Sequence, residues 1–197
     1  MKGYYHKYFE GYKEDRVLNR NGRGTHLEYT YASYYFRQDM KDHIRVLLRI
    51  LYVFMAMAAT CAFLYASSRT VHCNQVIYGA LCQAVTTLAF VWFFWVLVYY
   101  VFAPREMTVY KYKSTAIQIL KVCKWLAAAL VLDAAAVMAD MLITGNLLQK
   151  DEMLCMVSYL LAAGVVVGIR MIERSLPYER LSNDKEITWY REGMEWR

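Results

Sequence analysis

The sequence has no Cys-x-x-Cys pair, and its five cysteines, Cys61, Cys73, Cys82, Cys123 and Cys155, are an odd number. That excludes a disulfide framework and a zinc-finger spacing. Small buried thiols inside apolar segments are the simpler reading. Cys73 and Cys155 are the exception, because both fall near the expected outer surface, and a bond between them stays open. The histidines His6, His26, His43 and His72 are scattered without metal-ligand spacing. There is no glycine-rich phosphate loop and no nucleophile elbow. No cofactor, no metal and no enzymatic activity are expected.

Targeting signals are also missing. The first apolar block follows a polar stretch of about 42 residues, so no cleavable signal is expected. Lys2 in place of glycine removes the myristoylation motif, and Glu195-Trp196-Arg197 carries no prenylation box. The net charge of +6 raises the question of nucleic acid. The charges bracket apolar blocks, however, as membrane topology requires, so nucleic acid is not an expected partner.

What is present is hydrophobicity, 58% of 197 residues, gathered in four blocks. Ile50 to Ser68 is uncharged for 19 residues, Gln75 to Ala103 for 29 and Met153 to Ile169 for 17. The remaining block, Trp125 to Thr144, third in the chain, is interrupted only by Asp133 and Asp140. Runs of this length cross a bilayer as helices. The expected fold is an all-α membrane protein, a bundle of four transmembrane helices, with spans about 44–68, 75–103, 120–145 and 153–171 inside a domain of 43–172. Trp92 to Phe102 reads as an aromatic belt. Pro104 and the pair Gly145-Asn146 mark helix ends.

Residues 1–42 and 173–197 are polar tails. In the first, Asn21-Gly22 between Arg16–Arg20 and the tyrosine- and threonine-rich run Thr25–Tyr35 predicts a β-hairpin. Thr108–Tyr112 and Ile187–Tyr190 also read as short strands. At least two of the three segments are expected to pair, since an isolated hairpin is marginal in water.

Charge sets the expected topology. Of 23 Lys and Arg, all but Arg69 and Lys150 fall in the two tails, the flanking helix ends or the 105–124 connection. Positive residues stay in the cytoplasm, so both termini are expected inside, in the plasma membrane, with a small cytoplasmic layer that contains the hairpin.

Asp133 and Asp140 are the candidate site. Seven residues is almost two turns, which puts both on one helix face about 10 Å apart. A carboxylate at the centre of a span costs ~2.5–3.5 kcal/mol on insertion scales and marks a functional site by default. Gln83, Thr86, Thr87, Thr60, Ser158 and Tyr159 fall at similar depths in the other spans, and a bundle would gather them into one polar layer. Arg69 and His72 are the nearest expected cations for Asp140. Gly164 and Gly168 form a small-xxx-small pair expected to pack on the third span, around Ala136.

Two readings compete for the acids. In one they are neutral or hydrogen-bonded and join helices, because burial disfavours charge. In the other they exchange protons or bind a cation. The sequence favours the first, and with it a non-enzymatic accessory or scaffold subunit. Such a subunit would present its cytoplasmic layer to a protein partner or another copy. The alternative is a small oligomeric proton- or cation-coupled carrier using Asp133 and Asp140. No repeat relates the two halves, as a carrier usually shows.

Overall fold

The computed structural model describes the backbone of residues 12–18, 25–31, 33–145 and 149–181, and the side chains of 33–145 and 149–181. Two compact units are present. The helical unit comprises Met40–Phe102 and Thr115–Leu176, and the other Met1–Asp39, Ala103–Ser114 and Pro177–Arg197.

The helical unit contains α1 (Asp42–Ser67), the single turn α2 (His72–Gln75), α3 (Ile77–Val101), α5 (Gln118–Thr144) and α6 (Lys150–Arg174). Its four long helices are apolar and long enough to cross a membrane. The chain is a multi-pass membrane protein by this measure. Helix α6 packs against both α1 and α5, and α5 also packs against α3, while α1 and α3 touch little.

The residue spacing explains the packing. The buried residues of α1, Tyr52, Ala56, Ala59, Phe63 and Ala66, alternate steps of four and three, a narrow stripe facing one partner. Alanine at three of the five lets the α6 backbone come close. Helix α5 buries far more of its surface, from Ile119 through Leu130 to Met141, because it is flanked on two sides. Large apolar residues on the outer faces, among them Phe54, Leu88, Trp95, Leu132 and Leu161, are exposed, as lipid-facing positions require.

The second span departs from the expected 75–103. Val76 is extended, with φ −93° and ψ 152°, and separates α2 from α3. The chain turns so tightly here that a Cβ on Gly79 would lie 1.9 Å from the Cys73 carbonyl oxygen. Only glycine permits that approach. Gly145 caps α5 with φ 73°, the left-handed conformation a helix end favours. Asn146 lies outside the described residues.

In the other unit, β1 (Tyr12–Leu18) and β2 (Thr25–Tyr31) pair antiparallel, Tyr12 opposite Tyr31 and Leu18 opposite Thr25. The Asn21-Gly22 turn between them lies outside the described residues. A separate antiparallel sheet has the order β4-β3-β5, built from Tyr35–Gln38 (β3), Glu106–Thr108 (β4) and Tyr178–Leu181 (β5). Arg37 stands opposite Glu106 on one side and Glu179 on the other. Phe36 stacks on Tyr112 at 4.2 Å, Tyr178 meets Tyr112 edge-on at 5.0 Å, and Gln38 Nε2 donates to Tyr178 Oη at 2.8 Å.

The expected strand Thr108–Tyr112 is corrected. The strand ends at Thr108, and Val109–Tyr112 is a helical turn, α4, followed by a π-helical stretch at Lys113–Ile117. The cause is local: the Thr108 hydroxyl accepts from the Lys111 amide at 3.4 Å, a capping contact that starts a helix. Ile187–Tyr190 lies outside the described residues.

Candidate functional site

The break at Val76 turns α2 back over the end of the bundle where α1 and α5 finish and α3 and α6 begin. A polar cluster forms there, with Asn74 as its hub. Its Nδ2 donates to the Ala66 and Arg69 carbonyls at 3.0 and 2.8 Å, holding the last turn of α1. Its Oδ1 accepts from Gln83 Nε2 on α3 at 2.6 Å. Gln83 Nε2 also donates to Tyr159 Oη on α6 at 3.1 Å, and Tyr159 lies 3.5 Å from the Ser67 hydroxyl.

Asp140 of α5 is 1% exposed and fully engaged. Tyr78 donates to its Oδ1, and Nδ1 of His72 lies 3.0 and 3.1 Å from its two oxygens. Of the two cations expected near it, His72 is the one brought there. Arg69 instead lies 3.8 Å from Asp151.

Asp133 sits two turns away on the same face of α5 and is 2% exposed, yet among the described residues neither of its oxygens has a partner in good hydrogen-bond geometry. Thr86 of α3 lies beside it but short of hydrogen-bond geometry. Asp133 lines a thin cleft with Cys73, Asn74, Gly79, Gln83, Ala136, Val137 and Tyr159. The cleft is nowhere wide enough to seat a water molecule.

The other expected site residues are placed as follows. Thr60 and Thr87 spend their hydroxyls on carbonyls one turn back in their own helices, Ala56 at 2.8 Å and Gln83 at 2.8 Å, and Ser158 does the same with Leu154 at 2.7 Å. They do not join the cluster, because a β-hydroxyl in a helix reaches its own backbone more easily than a neighbouring helix. Gly168 faces α1, not the third span: a Cβ there would lie 3.1 Å from Met55 Cε, and one on Gly164 would meet nothing within 4 Å. Cys73 and Cys155 are free thiols, and Cys155 Sγ donates instead to the Ala66 carbonyl at 3.6 Å.

Sequence reasoning missed two buried acids, Glu152 and Glu173 on α6, 1% and 2% exposed. Glu173 Oε2 accepts from Tyr52 at 3.0 Å and Tyr100 at 2.7 Å, which ties α6 to α1 and α3 at the end of the bundle opposite the Asn74 cluster. Glu152 Oε2 has no hydrogen-bond partner among the described residues and lies within electrostatic reach of Asp140 and His72. The available signal was the stripe Cys155, Tyr159, Ala162, Val166, Ile169. Extended by three residues at one end and four at the other, it lands on Glu152 and Glu173.

No family model, curated protein or solved structure matches the chain.

Proposed function

We propose that this protein is a non-enzymatic accessory or scaffold subunit of the plasma membrane. Both termini and the 103–114 segment would lie in the cytoplasm and present a folded layer to a protein partner or a second copy. The three-stranded sheet carries this reading. Strands β3, β4 and β5 come from three segments separated by pairs of spans, and an even number of crossings returns a chain to one side. The concentration of Lys and Arg in and beside those segments argues that this side is the cytoplasm. A transport path through the helices has no need of such a layer.

The buried acids agree in part. Asp140 and Glu173 bind side chains of other helices in the same chain, which is what structural joints do. The carrier reading is favoured by one observation, that among the described residues Asp133 makes no hydrogen bond of good geometry.

Extraction from the native membrane in mild detergent should recover a partner at fixed stoichiometry. Arg37→Glu, which sets like charges against Glu106 and Glu179, should lose that partner, whereas Asp133→Asn and Asp140→Asn should keep it. Substrate-dependent uptake into liposomes by the pure protein, abolished by the two Asp→Asn changes, would overturn this choice in favour of a carrier.

A further inference from the structure

We propose that the surface where α5 begins and α6 ends binds the headgroup of a phospholipid that carries more than one phosphate, through Lys121, Lys124, Arg170 and Arg174. This stands independently of the accessory-subunit reading, since either a scaffold or a carrier can hold such a lipid. It needs only that these two helices cross the membrane.

Helix geometry gathers the four cations. Lys121 and Lys124 are one turn apart on α5, and Arg170 and Arg174 are one turn apart on α6. The two helices pack against each other, and Cys123 of α5 lies within electrostatic reach of both Arg170 and Glu173, which sets the pairs at one level. Arg170 is about five turns along α6 from Glu152 and so lies on the same side of the helix. Glu152 is within reach of Asp140, so that side is the one turned to α5. On α5, Lys124 is about two and a half turns from Asp133, whose neighbour is Thr86 of α3. Lys124 therefore points away from α3, one residue round from Cys123, along the outer edge of the seam with α6. Lys121, Lys124 and Arg174 are exposed, and Arg170 is half-buried.

The protein does not answer this charge. No salt bridge among the described residues reaches any of the four. The one acid in these turns, Glu173, is buried and accepts from Tyr52 and Tyr100. Arg45 of α1, at the same end of the bundle, differs in pairing with Asp42 at 3.3 Å. Like charges one turn apart destabilise a helix, and here two such pairs adjoin, so an external anion relieves a repulsion built into both helices.

Depth and neighbours select a lipid as that anion. Lys124 immediately precedes the block Trp125 to Thr144, and Arg170 immediately follows the uncharged run Met153 to Ile169. Both stand where hydrocarbon gives way to headgroups. Trp125, beside Lys124, and Val167, one turn from Arg170, are exposed and apolar on the bilayer side, where acyl chains lie. Lys and Arg form charge-assisted hydrogen bonds to phosphate, and basic pockets between spans take anionic headgroups. Four cations call for more than the single charge of an ordinary anionic lipid.

The test uses the full chain in neutral detergent micelles doped with phosphatidylcholine, with phosphatidylinositol bisphosphate, or with phosphatidylglycerol at matched total charge. The bisphosphate lipid is expected to raise the melting temperature saturably, by on the order of 5 °C over phosphatidylcholine, and phosphatidylglycerol far less. Lys124→Gln combined with Arg174→Gln should abolish most of the rise, and Lys150→Gln, at the other end of the bundle, should retain it. Should the double variant fail to fold, native mass spectrometry of the unaltered protein decides the matter. One bisphosphate lipid per chain, retained against excess phosphatidylglycerol, supports the site. Equal rises from the two anionic lipids would show general charge attraction only and overturn the proposal. An equal rise from soluble inositol trisphosphate would overturn the lipid as its occupant. Retention of the effect by the double variant, or no retained lipid, would overturn the site itself. None of these results depends on whether a protein partner is recovered.

Discussion

Glu173 is the clearest case of a polar residue acting as a joint. It brings tyrosines of two other helices onto one oxygen, with the Tyr52 and Tyr100 rings 5.6 Å apart. Glu173→Leu removes the acceptor of both bonds, and the loss at the buried Tyr52 hydroxyl alone should cost about 1–3 kcal/mol. Glu173→Gln keeps a carbonyl oxygen there and should cost much less. Denaturant unfolding in micelles compares the two, and equal losses would show that acceptance by Glu173 is not what stabilises the site. Cys73 offers a second residue-level test. It is 2% exposed, and burial, followed by the charge of Asp140, pushes its thiol up to about 11. The thiolate is the reactive form, so labelling of the folded protein at pH 7 should be slow and should speed up as the pH rises towards that value. A free-thiol rate at pH 7 would contradict the buried position.

Among the elements, the turn between α2 and α3 is under the strongest steric constraint. Gly79→Ala places a Cβ against the backbone carbonyl of Cys73, which cannot yield as a side-chain tip can. The turn must open, and with it the contacts of Asn74 and His72, so a loss of at least about 3 kcal/mol is expected. Gly164→Ala meets open space and should be neutral or, through helix propensity, stabilising by up to about 1 kcal/mol. Thermal melts of the two variants separate steric need from the general cost of glycine in a helix. Most of the element pattern was legible beforehand. Charge-free length marked the spans, because the bilayer demands it, and the polar ends marked their limits to within a few residues. The break at Val76 was not legible, since nothing in Gln75-Val76-Ile77 is a helix breaker and the contact that requires it is with Cys73. Glu152 and Glu173 were misplaced for a different reason. A charge near a span end reads as solvated, and only the heptad stripe of α6 reveals that both face inward.

For the whole molecule, the sheet and the spans make one claim. Residues 35–38, 106–108 and 178–181 pair in a single sheet, and under the proposed topology they share one side of the membrane. The same proposal places the 68–76 connection, which follows one span, on the other side. The expectation that at least two of the hairpin, Thr108–Tyr112 and Ile187–Tyr190 pair is not met among the described residues, where other residues of the same three polar regions do the pairing. The hairpin strands pair with each other, and the sheet uses the residues that border the helices. Binary patterning locates strand-prone stretches, whereas partner choice depends on which segments the helices bring together, and that is not a property of any one stretch. The most direct test places single cysteines at Ser68, Asp151, Lys111 and Arg180 and labels each with a membrane-impermeant maleimide in intact cells, then after permeabilisation. Labelling at Ser68→Cys and Asp151→Cys in intact cells, and at Lys111→Cys and Arg180→Cys only after permeabilisation, is the predicted result. Reaction of Lys111→Cys and Arg180→Cys with different sides would contradict the sheet and the four crossings together.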